Sequence, residues 1–249
     1  MAIALAALGG LVVGSFLNVV IVRLPRGESV VRGRSACPGC GAPIRAQDNI
    51  PVLSWLLLRG RCRACGQPIS ARYPAVELLT AALYAATVAI HGDDTAQLVL
   101  GLLLVTFLVP IAFIDLDVQR IPNALTLPAS VVAVVVGTAL DPGGEVERLI
   151  AGAAAALVLG RPALLNPRGM GMGDAKLAGV MGLYLGAEVA PAILIGLVTG
   201  VLVGIGIVAK RGMSEGRRTR IPFGPFLAFG AIVALLTGQP VVDWYLDTF

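Results

Sequence analysis

Two sets of side chains in this 249-residue sequence have the types and spacing to do chemistry. The first set is carboxylic. Gly171-Met172-Gly173-Asp174 places an acid beside a membrane-length apolar segment, and Ile114-Asp115-Leu116-Asp117 ends another apolar run earlier in the chain. Acids at the edge of a membrane span are costly and by default functional. Two carboxyls facing each other cannot both ionise easily, so one keeps a proton. Such a pair activates water with one group and protonates a leaving amine with the other. It needs neither a nucleophilic side chain nor a metal. Two other uses stay open: an aspartate at a helix start is often only a cap, and membrane acids also relay protons or ions in transporters. The glycines before Asp174 let another backbone approach it.

The second set is sulfur. Cys37-Pro-Gly-Cys40 and Cys62-Arg-Ala-Cys65 are separated by twenty-one residues. Each C-x-x-C offers two thiolates on one tight turn, and two such turns close a tetrahedron around Zn²⁺. Four thiolates fill the metal, so the expected zinc is structural and not hydrolytic. Redox cysteines are the alternative. Between the pairs, Asp48 to Leu58 is apolar for a surface loop. It either packs on the knuckles or the membrane face, or forms part of a substrate or cofactor groove. No H-E-x-x-H occurs, and His91, the only histidine, falls on the opposite side of the membrane from the acids in the topology given by charge below, which removes a histidine-ligated metalloprotease and a Ser-His-Asp triad. His91 reads as a plain surface residue at a span end.

These groups must be positioned by membrane helices. The chain is 57% hydrophobic and 14% charged, with mean hydropathy +0.86. A soluble domain averages roughly 25% charged residues. The apolar runs are helix-length and do not alternate every second residue, which indicates a helical bundle and not a barrel. The N-terminus lacks a basic n-region, and its apolar stretch is long enough to span, so it does not read as a cleavable signal peptide. The expected spans are 2–22, 74–90, 96–114, 123–140, 146–165, 175–185, 189–208 and 222–236. These eight make an all-α polytopic membrane protein. The element 175–185 is too short to cross alone. Residues 23–73 form a polar four-cysteine domain, and 74–249 a transmembrane core.

Charge gives the topology. If residues 23–72 are cytoplasmic and sides alternate from there, only Arg148 among the nineteen basic residues falls outside. The basic excess is then topology and attraction to membrane lipid, with no call for nucleic acid. The same alternation puts Asp115, Asp117 and Asp174 on one face of the membrane, the cytoplasmic one. That reducing compartment argues against disulfides.

In this order, the motifs resemble the prepilin leader peptidases, polytopic aspartic peptidases of type IV pilus and type II secretion systems. The likeness runs through Gly14-Ser15-Phe16-Leu17-Asn18, the paired C-x-x-C, Ser70-Ala71-Arg72-Tyr73-Pro74 and Glu77. It continues through Asp115 to Ile121-Pro122-Asn123, the stretch Gly171 to Leu177, and Ile221-Pro222-Phe223-Gly224-Pro225. The resemblance implies a bacterial inner-membrane enzyme that cuts the short basic leader from prepilins or pseudopilins at the cytoplasmic face. It implies Asp115 and Asp174 as the catalytic pair, with Asp115 seven residues before Pro122. It also implies N-methylation of the new N-terminus by S-adenosylmethionine, for which the region from Arg23 to Glu77 is the expected seat. A peptidase without methyl transfer is the alternative within the family.

Overall fold

A computed structural model describes residues 1–33, 35–165, 170–212 and 221–248, with side chains up to residue 237. Arg34, Arg168, Arg217, Arg218 and Arg220, which enter the charge count above, lie outside the described residues. The described chain is helical, with two isolated β-bridges as its only extended pairing. It divides into two units, Met1–Ile90 and His91–Phe249.

In the first unit, α1 (Ala2–Arg23) packs on α3 (Arg72–His91). The crossing depends on small residues. A Cβ on Gly10 would stand 2.6 Å from the Ala81 Cα, and one on Gly14 would stand 2.8 Å from the Glu77 Cα. Close backbone approach of this kind replaces the hydrophobic drive that lipid removes. On α3 the Thr80 and Thr87 hydroxyls donate to the carbonyls of Val76 and Leu83, each at 2.8 Å, so both are buried satisfied. Asn18 donates to the Tyr73 carbonyl at 3.0 Å. Between the helices lie the cysteine turns and the short α2 (Leu53–Leu57).

In the second unit, α4 (Thr95–Val118), α5 (Asn123–Leu140), α6 (Glu145–Leu165), α8 (Val189–Arg211) and α9 (Gly224–Thr248) surround α7 (Met172–Leu185). The helix α7 is the core element: Leu177, Ala178 and Met181 are fully buried. Glycines again permit its closest crossing, because a Cβ on Gly182 would stand 2.6 Å from the Gly152 Cα of α6. The Tyr184 hydroxyl ties α7 to α5 by donating to the Ala129 carbonyl at 2.9 Å.

The helices follow the expected boundaries with two differences that matter for the acids. The helix α4 runs on to Val118, and Gln119 ends it in the left-handed conformation (φ 52°). Asp115 therefore lies in the last turn and not beyond it. The helix α7 begins at Met172, which puts Asp174 at its third position. A helix lies at each of the eight expected positions, and length with hydropathy alone does not confirm eight separate crossings. Among the described residues, six segments are long and apolar enough to cross a membrane. Met172–Arg211 counts once because a 3₁₀ turn, Gly186–Glu188, joins α7 to α8, and Gly224–Thr237 is a shorter apolar helix. The chain is a multi-pass membrane protein.

Two residues assigned to the outer connections are not plain surface residues. His91 is buried, with Nε2 2.7 Å from the Leu235 carbonyl oxygen. A ring at the end of an apolar run still has an apolar body, and here it is sealed against α9. Arg148, the single basic exception to the charge count, is also buried. Its guanidinium lies 2.8 Å from Asp141 Oδ2 and 3.1 Å from Glu145 Oε2, and donates to the Asp141 carbonyl at 2.6 Å. The Arg148 guanidinium, with help from the Gly144 N–H, holds the Asp141 carboxyl below the usual carboxylate range. That contribution is present above the ordinary carboxylate pKa and is lost as pH falls through the depressed one. Arg148→Met strands Glu145 as a buried unpaired charge. Breaking one side of such a pair costs about 3 kcal/mol. The expected result is a lower Tm in detergent, partly restored by adding Glu145→Gln.

Candidate active site and metal centre

The carboxylate site is built where three helix ends meet. Asp115 closes α4, Asp174 opens α7, and Gly224 opens α9. Both aspartates are buried, at 4% and 9% exposure, whereas Asp117 is exposed. The α-helical period explains the contrast, since residues two apart face different directions. Asp115 and Asp174 interact electrostatically, so the structure brings together two acids far apart in sequence.

Each carboxylate accepts one backbone N–H. Gly224 donates to Asp115 Oδ2 at 2.9 Å across 109 residues of sequence, and Gly171 donates to Asp174 Oδ2 at 3.2 Å. The electrostatics of the two positions differ. Asp174 sits at the positive end of its own helix, which favours an anion. Asp115 sits at the negative end of α4, and the first N–H of α9 offsets that disadvantage. Two glycines leave the room this needs. A Cβ on Gly173 would stand 3.1 Å from the Ile121 Cβ, and one on Gly224 would stand 2.7 Å from Asp115 Oδ2. The sequence predicts room for another backbone beside Gly173, and the neighbour there is the Ile121 side chain; Gly224 is the site glycine that the sequence reading does not single out. A glycine between Phe223 and Pro225, at the start of an apolar run, was the available signal. Lys176 Nζ donates to Asn123 Oδ1 at 3.1 Å and ties the start of α7 to the start of α5.

The cysteine centre belongs to the first unit. The four sulfurs of Cys37, Cys40, Cys62 and Cys65 all lie within 4.8 Å of one another. A tetrahedron with Zn–S bonds of about 2.3 Å has edges of about 3.8 Å. Cys37 Sγ and Cys65 Sγ are 3.8 Å apart. The donor set therefore fits a tetrahedral thiophilic cation. Titration points the same way. The N–H of Gly39, then that of Cys40, draws the Cys37 thiol down to about 7. The N–H of Gln67 favours the Cys65 thiolate, but loss of water and the three other sulfurs outweigh it and push Cys65 up to about 12. One thiolate forms readily, while a full set needs a cation among them.

The two knuckles are copies of one turn. Ala36-Cys37-Pro38-Gly39-Cys40-Gly41-Ala42-Pro43-Ile44 matches Arg61-Cys62-Arg63-Ala64-Cys65-Gly66-Gln67-Pro68-Ile69 in the pattern C-x-x-C-G-x-P-I. Their hydrogen bonds repeat as well: Gly41 N–H donates to Cys37 O and Gly66 N–H to Cys62 O, each at 2.9 Å. Gly41 and Gly66 both take positive φ, near 70°. This internal repeat is legible in the sequence. Arg63 bridges Asp48 with Nη2 2.6 Å from Oδ1 and holds that carboxyl below its usual range. The Asp48–Leu58 stretch does more than pack on the knuckles. With α1 and α3 it walls a cavity of about 760 Å³ inside the first unit. Trp55 is fixed there by its indole N–H, which donates to the Ile69 carbonyl at 3.0 Å.

Residues 8–91 match the bacterial peptidase A24 N-terminal domain, and residues 102–206 match the type IV leader peptidase family. Among curated proteins, the chain is 39% identical to a prepilin leader peptidase/N-methyltransferase of Aeromonas hydrophila, over 98% of this chain and 94% of the relative. It is 37% identical to the protein of that name from Legionella pneumophila, over 95% and 91%, and 35% identical to that from Neisseria gonorrhoeae, over 98% and 95%. No solved structure matches the chain.

Proposed function

Because the chain belongs to the type IV leader peptidase family, we propose that it removes the leader from prepilins or pseudopilins with Asp115 and Asp174 as its catalytic pair, and then methylates the new N-terminus. The observation that carries the cleavage reading is the pair of buried aspartates, interacting and each held by one backbone N–H. One carboxylate takes a proton from water as it attacks the scissile carbonyl. The protonated partner gives its proton to the leaving amine. The second unit, which holds both aspartates, is assigned to cleavage, and the first unit, with the four-cysteine domain of residues 23–73, to methyl transfer. Zn²⁺ held by Cys37, Cys40, Cys62 and Cys65 would fix the two knuckles and leave no open position for catalysis. S-adenosylmethionine is the methyl donor, and the cavity of the first unit is its assigned site. Its volume lies within the roughly 300–1,000 Å³ of small-molecule pockets. The setting is the bacterial inner membrane, with the aspartates and cysteines on the cytoplasmic side; the charge alternation supports that orientation.

Incubation of the purified protein with a prepilin and S-adenosylmethionine tests both activities in one mass spectrum. Loss of the leader and a gain of one methyl group are expected. An intact leader would refute the cleavage reading, and a cleaved but unmethylated product would refute the second activity. Gly224→Ala tests the geometry. The added Cβ displaces the Asp115 carboxylate, and an error near 1 Å costs about 100-fold in rate. Gly206→Ala, which has nothing within 4 Å of the added carbon, is the matched control and should cleave normally.

A further inference from the structure

The cavity of the first unit has two carboxylates on its wall, Asp48 and Glu77. Asp48 is neutralised by Arg63. Glu77 is 7% exposed and forms no salt bridge among the described residues. A buried carboxylate without a cation is expensive unless something keeps it there. Its partners are the Val52 N–H, which donates to Oε2 at 2.7 Å, and the Ser15 hydroxyl. Val52 makes that bond from a conformation a β-branched residue rarely adopts, with φ 59° and ψ −51°. Such backbone is strained and persists where the surroundings enforce it. The first unit therefore spends conformational energy to fix one carboxylate, with no cation of its own, on the wall of a ligand-sized cavity.

We propose that Glu77 binds the ammonium of the newly exposed pilin N-terminus in this cavity and takes its proton, which frees the amine for methylation. The proposal rests on the methyl-transfer activity proposed above. An α-ammonium titrates near 8 and has no lone pair while protonated. Its proton passes to a Glu77 carboxylate oxygen. The nitrogen lone pair then attacks the methyl carbon of the sulfonium donor. The methyl–sulfur bond breaks with its electrons remaining on sulfur, which becomes a neutral thioether. The product is a secondary methylammonium, and Glu77 returns its proton to water. Ser15 and the Val52 N–H are positioning groups that hold the carboxylate still.

A purely structural role, with Glu77 as an anchor for Val52, makes a different forecast. Glutamine keeps an acceptor oxygen for the Val52 N–H but cannot take a proton, whereas alanine loses both. The full-length protein is assayed on already cleaved pilin across pH, with S-adenosylhomocysteine binding by calorimetry as the second readout. Leader cleavage serves as a check on folding. Glu77→Gln is expected to slow methylation by about 100-fold or more, the usual weight of a general base. S-adenosylhomocysteine affinity should stay within about twofold, since uncharged glutamine fills the same space. The residual rate should climb with pH as the substrate amine loses its proton unaided. Glu77→Asp should recover part of the rate. Methylation by Glu77→Gln at the parent rate overturns the proposal. So does an equal loss in Glu77→Gln and Glu77→Ala accompanied by loss of S-adenosylhomocysteine binding. A parent enzyme that cleaves yet neither methylates nor binds S-adenosylhomocysteine overturns the methyl-transfer reading itself, and the Glu77 proposal falls with it.

Discussion

Asp174→Asn is expected to lower leader cleavage by about a thousandfold or more, with the protein still inserted at the parent level. Asparagine keeps the shape and accepts the Gly171 N–H, but it neither takes nor gives a proton. Asp115→Asn should cost as much, because the partner loses the charge against which its own proton is held. The double variant should be no slower than either single one, since groups that act as a unit do not contribute separately. Asp117→Asn should retain cleavage within a few-fold, for Asp117 is exposed on another side of α4. Cleavage of a purified prepilin, followed by gel shift and mass, checks all four. Full activity in Asp174→Asn would end the assignment, and so would Asp117→Asn behaving like Asp115→Asn.

The second large effect concerns the knuckles. Structural zinc sites contribute about 10–16 kcal/mol of apparent binding energy in small domains. The segment from Ser35 to Ile69 has few buried side chains of its own, Cys37 and Ser54 among them. The double variant Cys40→Ser/Cys65→Ser should therefore lose close to one zinc per chain, and this segment should become sensitive to protease. Methylation should fall with it, because Trp55, whose indole N–H donates to the Ile69 carbonyl beside the second knuckle, lines the cavity. Metal analysis and limited proteolysis are the readouts. A metal-free parent protein with a protease-resistant segment would sink the zinc assignment. The Asp48–Arg63 bridge gives a milder effect with a definite sign. Its carboxyl titrates below the ordinary range, so the bridge is present above that range and is lost as pH falls through the depressed value.

The helices were legible because lipid imposes one rule, a long apolar run. The partnership of Asp115 with Asp174 was legible for the same reason, since both close or open a span at one face. What the sequence hid is tertiary. The Gly224 N–H on Asp115 spans 109 residues, and no local pattern announces it. The burial of His91 depends on a carbonyl of α9 more than a hundred residues away. The length of α4 turned on Gln119, a non-glycine residue whose left-handed cap has no strong propensity signal. The cavity could not be read at all, because its walls come from α1, the inter-knuckle stretch and α3. The knuckle repeat is the opposite case: it was written plainly in C-x-x-C-G-x-P-I and needed only a search for self-similarity.

The shortness of α7 decides what borders the acids. Fourteen residues rise about 21 Å, while the hydrocarbon of a bilayer is about 30 Å thick. Its far end is fixed where the Ala187 N–H donates to Glu147 Oε1 at 2.9 Å. Because α4, α5, α6, α8 and α9 surround α7, the missing length is met by protein and not by a thinned bilayer. The depth of the acids is thereby set by helix packing, and cleavage in reconstituted vesicles is expected to vary little with acyl-chain length.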